Sequence, residues 1–132
     1  MGWRNWNFYQ GEITQEIMEA NMHAMVDATR TPLGHSKPAS LLELGYTRAG
    51  LDDNWQACGT GVDGSFHAAD GTPLINLTRF PSMKSMVATG HSLGLKVGCA
   101  ASGPALPRAL TYSPKPVGKP LTLWCVVDQQ LL

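Results

Sequence analysis

Between Met1 and Gly98, short strand-like segments alternate with helical ones, and that alternation constrains the fold of this 132-residue chain more than any other feature. Met1 to Trp6 is short and aromatic-rich, as a strand is. Thr14 reads as a helix N-cap with Glu16 in the first turn, where the helix dipole favours negative charge. Ile13 and Met18 flank the cap as a hydrophobic staple. Ile17, Ala20, Ala24 and Ala28, with Met18, Met22, Met25 and Val26, follow the three-and-four spacing of a packed helix over 14–29. Methionines also suit an adaptable binding groove, but core filling is their commoner use. Thr31 to Ser40, with Pro32, Gly34 and Pro38, is a loop. Tyr46 to Leu51 reads as a strand running straight into Asp52-Asp53-Asn54-Trp55. Cys58 to Thr78 contains Gly59, Gly61, Gly64 and Gly71 between short apolar segments, which predicts a hairpin-rich insertion. Pro81 suits the first turn of a second helix with Met83, Met86, Val87 and Leu93 on its apolar side. Gly94 stops that helix, and Leu95 to Gly98 is another strand.

The order strand, helix, strand, insertion, helix, strand implies parallel strands with right-handed crossovers, an α/β fold. A closed (β/α)8 barrel needs about 250 residues, so this stretch is too short to close one. Periodicity alone leaves a partial barrel and an open doubly wound sheet side by side. A bare three-stranded sheet is expected to leave apolar strand faces and an edge uncovered, which favours aggregation.

Beyond Gly98 the composition changes. Five of the nine prolines (Pro104, Pro107, Pro114, Pro116 and Pro120) fall there, and Asp128 is the single acid. Proline lacks an N–H and biases the residue before it away from helix, so 99–132 reads as an irregular tail with at most one short strand, Leu121 to Val127. Ten acids balance ten bases, which predicts no nucleic-acid partner and no anionic-membrane footprint. No apolar run reaches the roughly 18 residues of a membrane span, and no signal peptide is visible. Cys58, Cys99 and Cys125 are too few and scattered for a disulfide scaffold or a zinc site.

Asp52 and Asp53 directly follow a predicted strand. In parallel α/β proteins, ligands sit at the carboxyl ends of strands, which places both acids for binding or catalysis. The other reading makes them strand-end caps for local N–H groups. Neighbouring acids in an extended strand point to opposite faces, so both address one ligand only if the backbone turns at Asn54. Trp3, Trp6 and Trp55 form a second group. Flat ring faces beside carboxylates suit sugars, covering C–H groups while the carboxylates accept from hydroxyls, although most tryptophans are core. His23, His35, His67 and His91 have no metal-site spacing, and Gly59, Gly61 and Gly64 do not make a phosphate loop. Asn76-Leu77-Thr78 matches the glycosylation sequon.

Together, Met1-Gly2-Trp3-Arg4-Asn5-Trp6-Asn7, Gly45-Tyr46 and Leu51-Asp52-Asp53-Asn54-Trp55 resemble the opening of the α-galactosidases (melibiases) of glycoside hydrolase family 27. So do Asp70-Gly71, Arg79-Phe80-Pro81, Met83-Lys84 and His91-Ser92-x-Gly94-Leu95-Lys96-x-Gly98, in the right order. The resemblance covers residues 1–98. It implies the N-terminal portion of a (β/α)8 catalytic barrel, about its first three strands and two helices. The implied activity is that of an O-glycosyl hydrolase removing terminal α-linked galactose, or N-acetylgalactosamine, with retention and without a cofactor or metal. By the same resemblance Trp6 packs on the galactose ring and Asp52 and Asp53 accept hydrogen bonds from its hydroxyls. A galactose-containing saccharide is the implied partner, a homodimer the implied assembly, and a secreted, lysosomal or vacuolar location the implied setting.

Retaining hydrolysis needs a nucleophile and an acid/base about 5 Å apart. The family's two catalytic aspartates have no counterpart here. Gly98-Cys99-Ala100 stands where family members carry a tyrosine-bearing strand end, and no Lys-x-Asp strand follows. Asn54 replaces a cysteine that many members carry, so one family disulfide is expected to be missing. Loss of resemblance together with a composition shift is what a misread exon boundary or frameshift produces. Residues 1–98 therefore read as an internal piece of a longer enzyme, inactive alone, and 99–132 as sequence foreign to the family. The alternative is a catalytically dead galactose-binding protein.

Overall fold

A computed structural model of the protein describes residues 1–99. The expected strand at Leu121 to Val127, and the expected irregularity of the tail from Ala100 onward, lie outside the described residues. Three strands, β1 (Gly2–Arg4), β2 (Arg48–Leu51) and β3 (Lys96–Cys99), form one sheet in the order β1-β2-β3. Both pairings are parallel, as the alternation predicts; Trp3 aligns with Ala49 and Ala49 with Val97. A four-residue helix, α1 (Trp6–Tyr9), follows β1, and two longer helices, α2 (Gln15–Val26) and α3 (Met83–Ser92), precede β2 and β3 respectively.

Helix α2 starts where Thr14 caps it: the Thr14 hydroxyl accepts from the Ile17 N–H at 3.3 Å, one of the otherwise orphaned first-turn donors. Its buried positions are Met18, Met22 and Met25, spaced four and three, while Ala20 and Ala24 are exposed. The alanine side of the expected stripe is therefore the solvent side. A helix seen edge-on buries one arc only, and the larger methionines take it. The helix also ends at Val26 rather than at residue 29, with Asp27 extended and its carboxylate accepting from the Thr29 N–H at 2.9 Å. Helix α3 is capped by Ser82, whose hydroxyl accepts from the Ser85 N–H at 3.1 Å, so Pro81 precedes the cap instead of opening the first turn. Gly94, at φ 78°, takes the left-handed turn that stops α3.

Both helices lie on one side of the sheet. Met18, Met22 and Met25 meet Met83 and Met86 from α3, Ala49 and Leu51 from β2, and Ile13, Trp55, Phe80 and Leu95 in a single apolar core. Burial of each such large side chain contributes roughly 1.5–3 kcal/mol. Helix α3 approaches β3 at a glycine: a Cβ on Gly90 would meet Val97 Cγ2 at 2.2 Å and Met22 Sδ at 2.8 Å. A doubly wound sheet carries helices on both faces; here one face has both, which fits a partial barrel.

The opposite face differs from the expectation of bare apolar surface. Alternation puts Gly2, Arg4, Arg48, Gly50, Lys96 and Gly98 there, and the bases are exposed. It is polar, because the chain spends its apolar strand residues on the helix side. The first strand is also shorter than Met1 to Trp6, since the chain turns at Asn5 and Trp6 begins α1. The segment from Cys58 to Thr78 forms isolated antiparallel bridges, Gln56 to Ile75 and His67 to Pro73, and a 3-10 turn at Val62–Gly64, without a continuous ladder. Its glycines supply turns but leave too few consecutive side chains to pair two strands.

Candidate functional site

The carboxyl ends of β1 and β2 lie next to each other because the strands are parallel and in register, Arg4 beside Gly50. Asn5 follows β1 and is fully buried. Its Oδ1 accepts from the Asp52 N–H at 2.6 Å, and its carbonyl accepts from the Phe8 and Tyr9 N–H groups at 3.2 and 3.0 Å. One asparagine thus closes the end of β1, starts α1 and pins the start of the Asp52-Asp53 turn. Asn5 was not singled out as a site residue from the sequence; the available signal was a polar side chain at the end of an aromatic strand.

The Asp52 carboxylate is engaged at both oxygens. Its Oδ1 accepts from the Asp53 N–H at 3.0 Å, and its Oδ2 lies 3.2 Å from Arg4 Nη1. The Arg4 stem reaches it by lying flat over Gly50, where an added Cβ would come within 2.9 Å of Arg4 Cγ. Asp53 differs. It is only 8% exposed, and its Oδ1 has no hydrogen-bond partner among the described residues. Asn5 Nδ2 is a second buried polar atom in that state. A buried polar group left unpaired costs about 1–3 kcal/mol unless water or a ligand satisfies it.

The backbone does turn where the two acids need it to. Asn54 has φ 75°, a left-handed conformation that asparagine tolerates better than most residues. Its Nδ2 donates to the Gly11 carbonyl at 2.6 Å, tying the loop after β2 to the loop after β1. The Arg79 guanidinium donates to the same carbonyl and, at 3.3 Å, to that of Ile13, while the Gln15 N–H donates to the Arg79 carbonyl at 2.9 Å. Asn54, Gly11 and Arg79 form a polar knot that sequence reading did not identify. A hydrogen bond thus joins the two loops at the position where the family pattern has cysteine.

The tryptophans separate. Trp55 is buried within the core, 4% exposed, and Trp3 packs against that core with its ring edge-on to Tyr9 at 6.5 Å between centroids. The buried Trp55 ring offers no face to a ligand, and the half-buried Trp3 ring is packed against the core. Trp6, half-buried at the start of α1 and outside the core, keeps the option of a sugar platform. His23 and His91 lie exposed in the last turns of α2 and α3, where the dipole favours a cation. No three His, Cys, Asp or Glu side chains converge among the described residues.

Comparison with known proteins bears on what this strand-end arrangement is. No protein-family model matches the chain. The "Probable alpha-galactosidase" of Dictyostelium discoideum is 33% identical over 99 residues, 74% of this chain and 21% of that protein. The alpha-galactosidase of Cyamopsis tetragonoloba is 29% identical over 99 residues, 74% of this chain and 20% of that protein. Among solved structures, alpha-galactosidase I from Mortierella vinacea superposes with a TM-score of 0.60 at 27% identity, over 76% of this chain and 21% of that one. This chain is similar to a fragment of an α-galactosidase. It spans about a fifth of the length of the curated relatives it matches. The α-galactosidase from Saccharomyces cerevisiae solved with raffinose, at 20% identity and a TM-score of 0.59, shares the fold of the matched part.

Proposed function

We propose that this chain carries the galactose-recognition end of a family 27 α-galactosidase, an O-glycosyl hydrolase that removes terminal α-linked galactose with retention. In this reading β1, β2 and β3 are the first three strands of a (β/α)8 barrel. Trp6 covers the apolar face of the sugar, Asp53 accepts from its hydroxyls, and Asp52 does so while held by Arg4. The observation that carries it is Asp53 Oδ1, an acceptor buried without a partner at the end of β2 in a chain similar to α-galactosidases. A strand-end cap has its acceptors filled by local N–H groups, which favours a ligand over a cap here.

The nucleophile and acid/base lie outside the residues the resemblance covers, so the chain alone binds without cleaving. Calorimetric titration of the full chain with methyl α-galactoside, and a parallel assay with a chromogenic α-galactoside, test this. Binding without turnover is expected. Asp53→Ala should weaken binding by roughly 10- to 150-fold, since it removes charge-assisted hydrogen bonds of roughly 1.5–3 kcal/mol. Trp6→Phe keeps an aromatic face and should cost only part of a stacking contribution of about 1 kcal/mol. If Asp53→Ala is silent while Trp6→Phe is damaging, Asp53 is a cap. Turnover abolished by Asp52→Asn would place the nucleophile within this chain.

A further inference from the structure

Arg4 ends β1 directly beside Gly50 of β2. Only glycine leaves room for it there: an added Cβ on Gly50 would lie 2.9 Å from Arg4 Cγ and 3.4 Å from Arg4 Nε. The arginine stem crosses the neighbouring strand and carries its guanidinium toward the carboxyl end of β2, where Nη1 stands 3.2 Å from Asp52 Oδ2. The other oxygen of that carboxylate accepts from the Asp53 N–H at 3.0 Å. Two consecutive bonds therefore link Arg4, through Asp52, to the backbone of Asp53. Asn5 Oδ1 takes the Asp52 N–H at 2.6 Å, so Asp52 is held at its N–H and at both carboxylate oxygens. The residue at the end of this relay is the one whose Oδ1 is buried without a hydrogen-bond partner.

Exposure separates two jobs that such an ion pair can do. The Arg4 side chain is 53% exposed and that of Asp52 24%, and ion pairs this open contribute little to folding. A carboxylate left to rotate must be ordered whenever a ligand binds beside it, and holding it beforehand removes that cost. We propose that Arg4 is a positioning residue of the strand-end site: seated on Gly50, it presets the Asp52 carboxylate and, through it, the Asp53 turn, without itself binding the sugar. The ligand rests on the galactoside reading; the relay from Arg4 to Asp53 does not. In the barrel reading this contact lies at the carboxyl end of the interior, where Arg4 fills the floor under the pocket.

The test compares two variants of the full chain. Arg4→Met keeps the stem on Gly50 and loses the charge, and Arg4→Lys keeps a cation. Amide hydrogen exchange at Asp53 reads the relay with no sugar present, calorimetry with methyl α-galactoside reads affinity, and urea unfolding reads stability. Arg4→Met should speed Asp53 exchange severalfold and weaken the galactoside about fivefold while the unfolding midpoint stays in place. Arg4→Lys should recover most of both losses. Gly50→Ala, which displaces the stem, should reproduce Arg4→Met, and the two together should do no more than either alone because both break one contact. Unchanged Asp53 exchange in Arg4→Met overturns the proposal. So does a loss of affinity that tracks a lowered midpoint, a lysine that recovers nothing, or additive losses in the double variant. If the parent chain does not bind methyl α-galactoside, the galactoside reading falls, and Asp53 exchange across the same variants still decides whether Arg4 sets the turn.

Discussion

The two faces of one short sheet obey different rules. On the helix side, Trp3, Ala49, Leu51 and Val97 meet the methionines of α2 and α3, and space decides which side chain is allowed. On the other side Gly2, Arg4, Arg48, Gly50, Lys96 and Gly98 meet no helix, and charge and hydrogen bonding decide. Two glycines make the contrast concrete. At Gly90 on α3 an added Cβ would lie 2.2 Å from Val97 Cγ2, whereas at Gly98 on β3 nothing lies within 4 Å. The same residue type is a packing necessity in one place and an open floor in the other. Stability is therefore concentrated on the helix side, and charge on the other.

The largest expected effect is Met22→Ala. Met22 is fully buried between α3 and the rest of the core, and its truncation should cost about 3 kcal/mol through lost burial and the cavity left behind. A urea titration that leaves the midpoint unchanged would mean that the helix layer is not what holds the sheet. Next is Gly90→Ala. Helix propensity gains about 1 kcal/mol, but the clash with the stiff Val97 side chain should outweigh it, for a net loss of about 1–2 kcal/mol. A net gain would show that α3 rides higher on β3 than described.

Asn54→Ala should cost about 1 kcal/mol by thermal unfolding, since alanine tolerates φ 75° poorly and the bond to the Gly11 carbonyl disappears. Asn54→Gly, which relieves the backbone but not the lost bond, separates the two causes. The smallest effect belongs to Gly98→Ala, expected within about 0.5 kcal/mol of the parent protein in the same unfolding experiment. A loss as large as that of Gly90→Ala would mean that the open face is covered and would erase the contrast between the two sides.

Much of this was legible in the chain. Thr14 and Gly94 mark helix ends through local hydrogen bonding and φ alone, which need no neighbours, and the alternation of segments implied parallel strands. Asp52-Asp53 stood at a strand end because strand and acids are contiguous. Local geometry did not reveal which arc of α2 would be buried. Alanine and methionine both fit the helical spacing, and only the distance to α3 and the sheet chose the methionines. Neither did it separate the three tryptophans, whose burial depends on what crosses above them: the core over Trp55, a half-open position for Trp6. Asn5, Gly11 and Arg79 became part of one arrangement through bonds spanning more than forty residues, whose partners no local pattern names. The charge segregation on the open face follows the same logic. Composition determined that bases and acids balance, but cross-strand register, a property of three distant segments brought side by side, decided that Arg48 and Lys96 stand together.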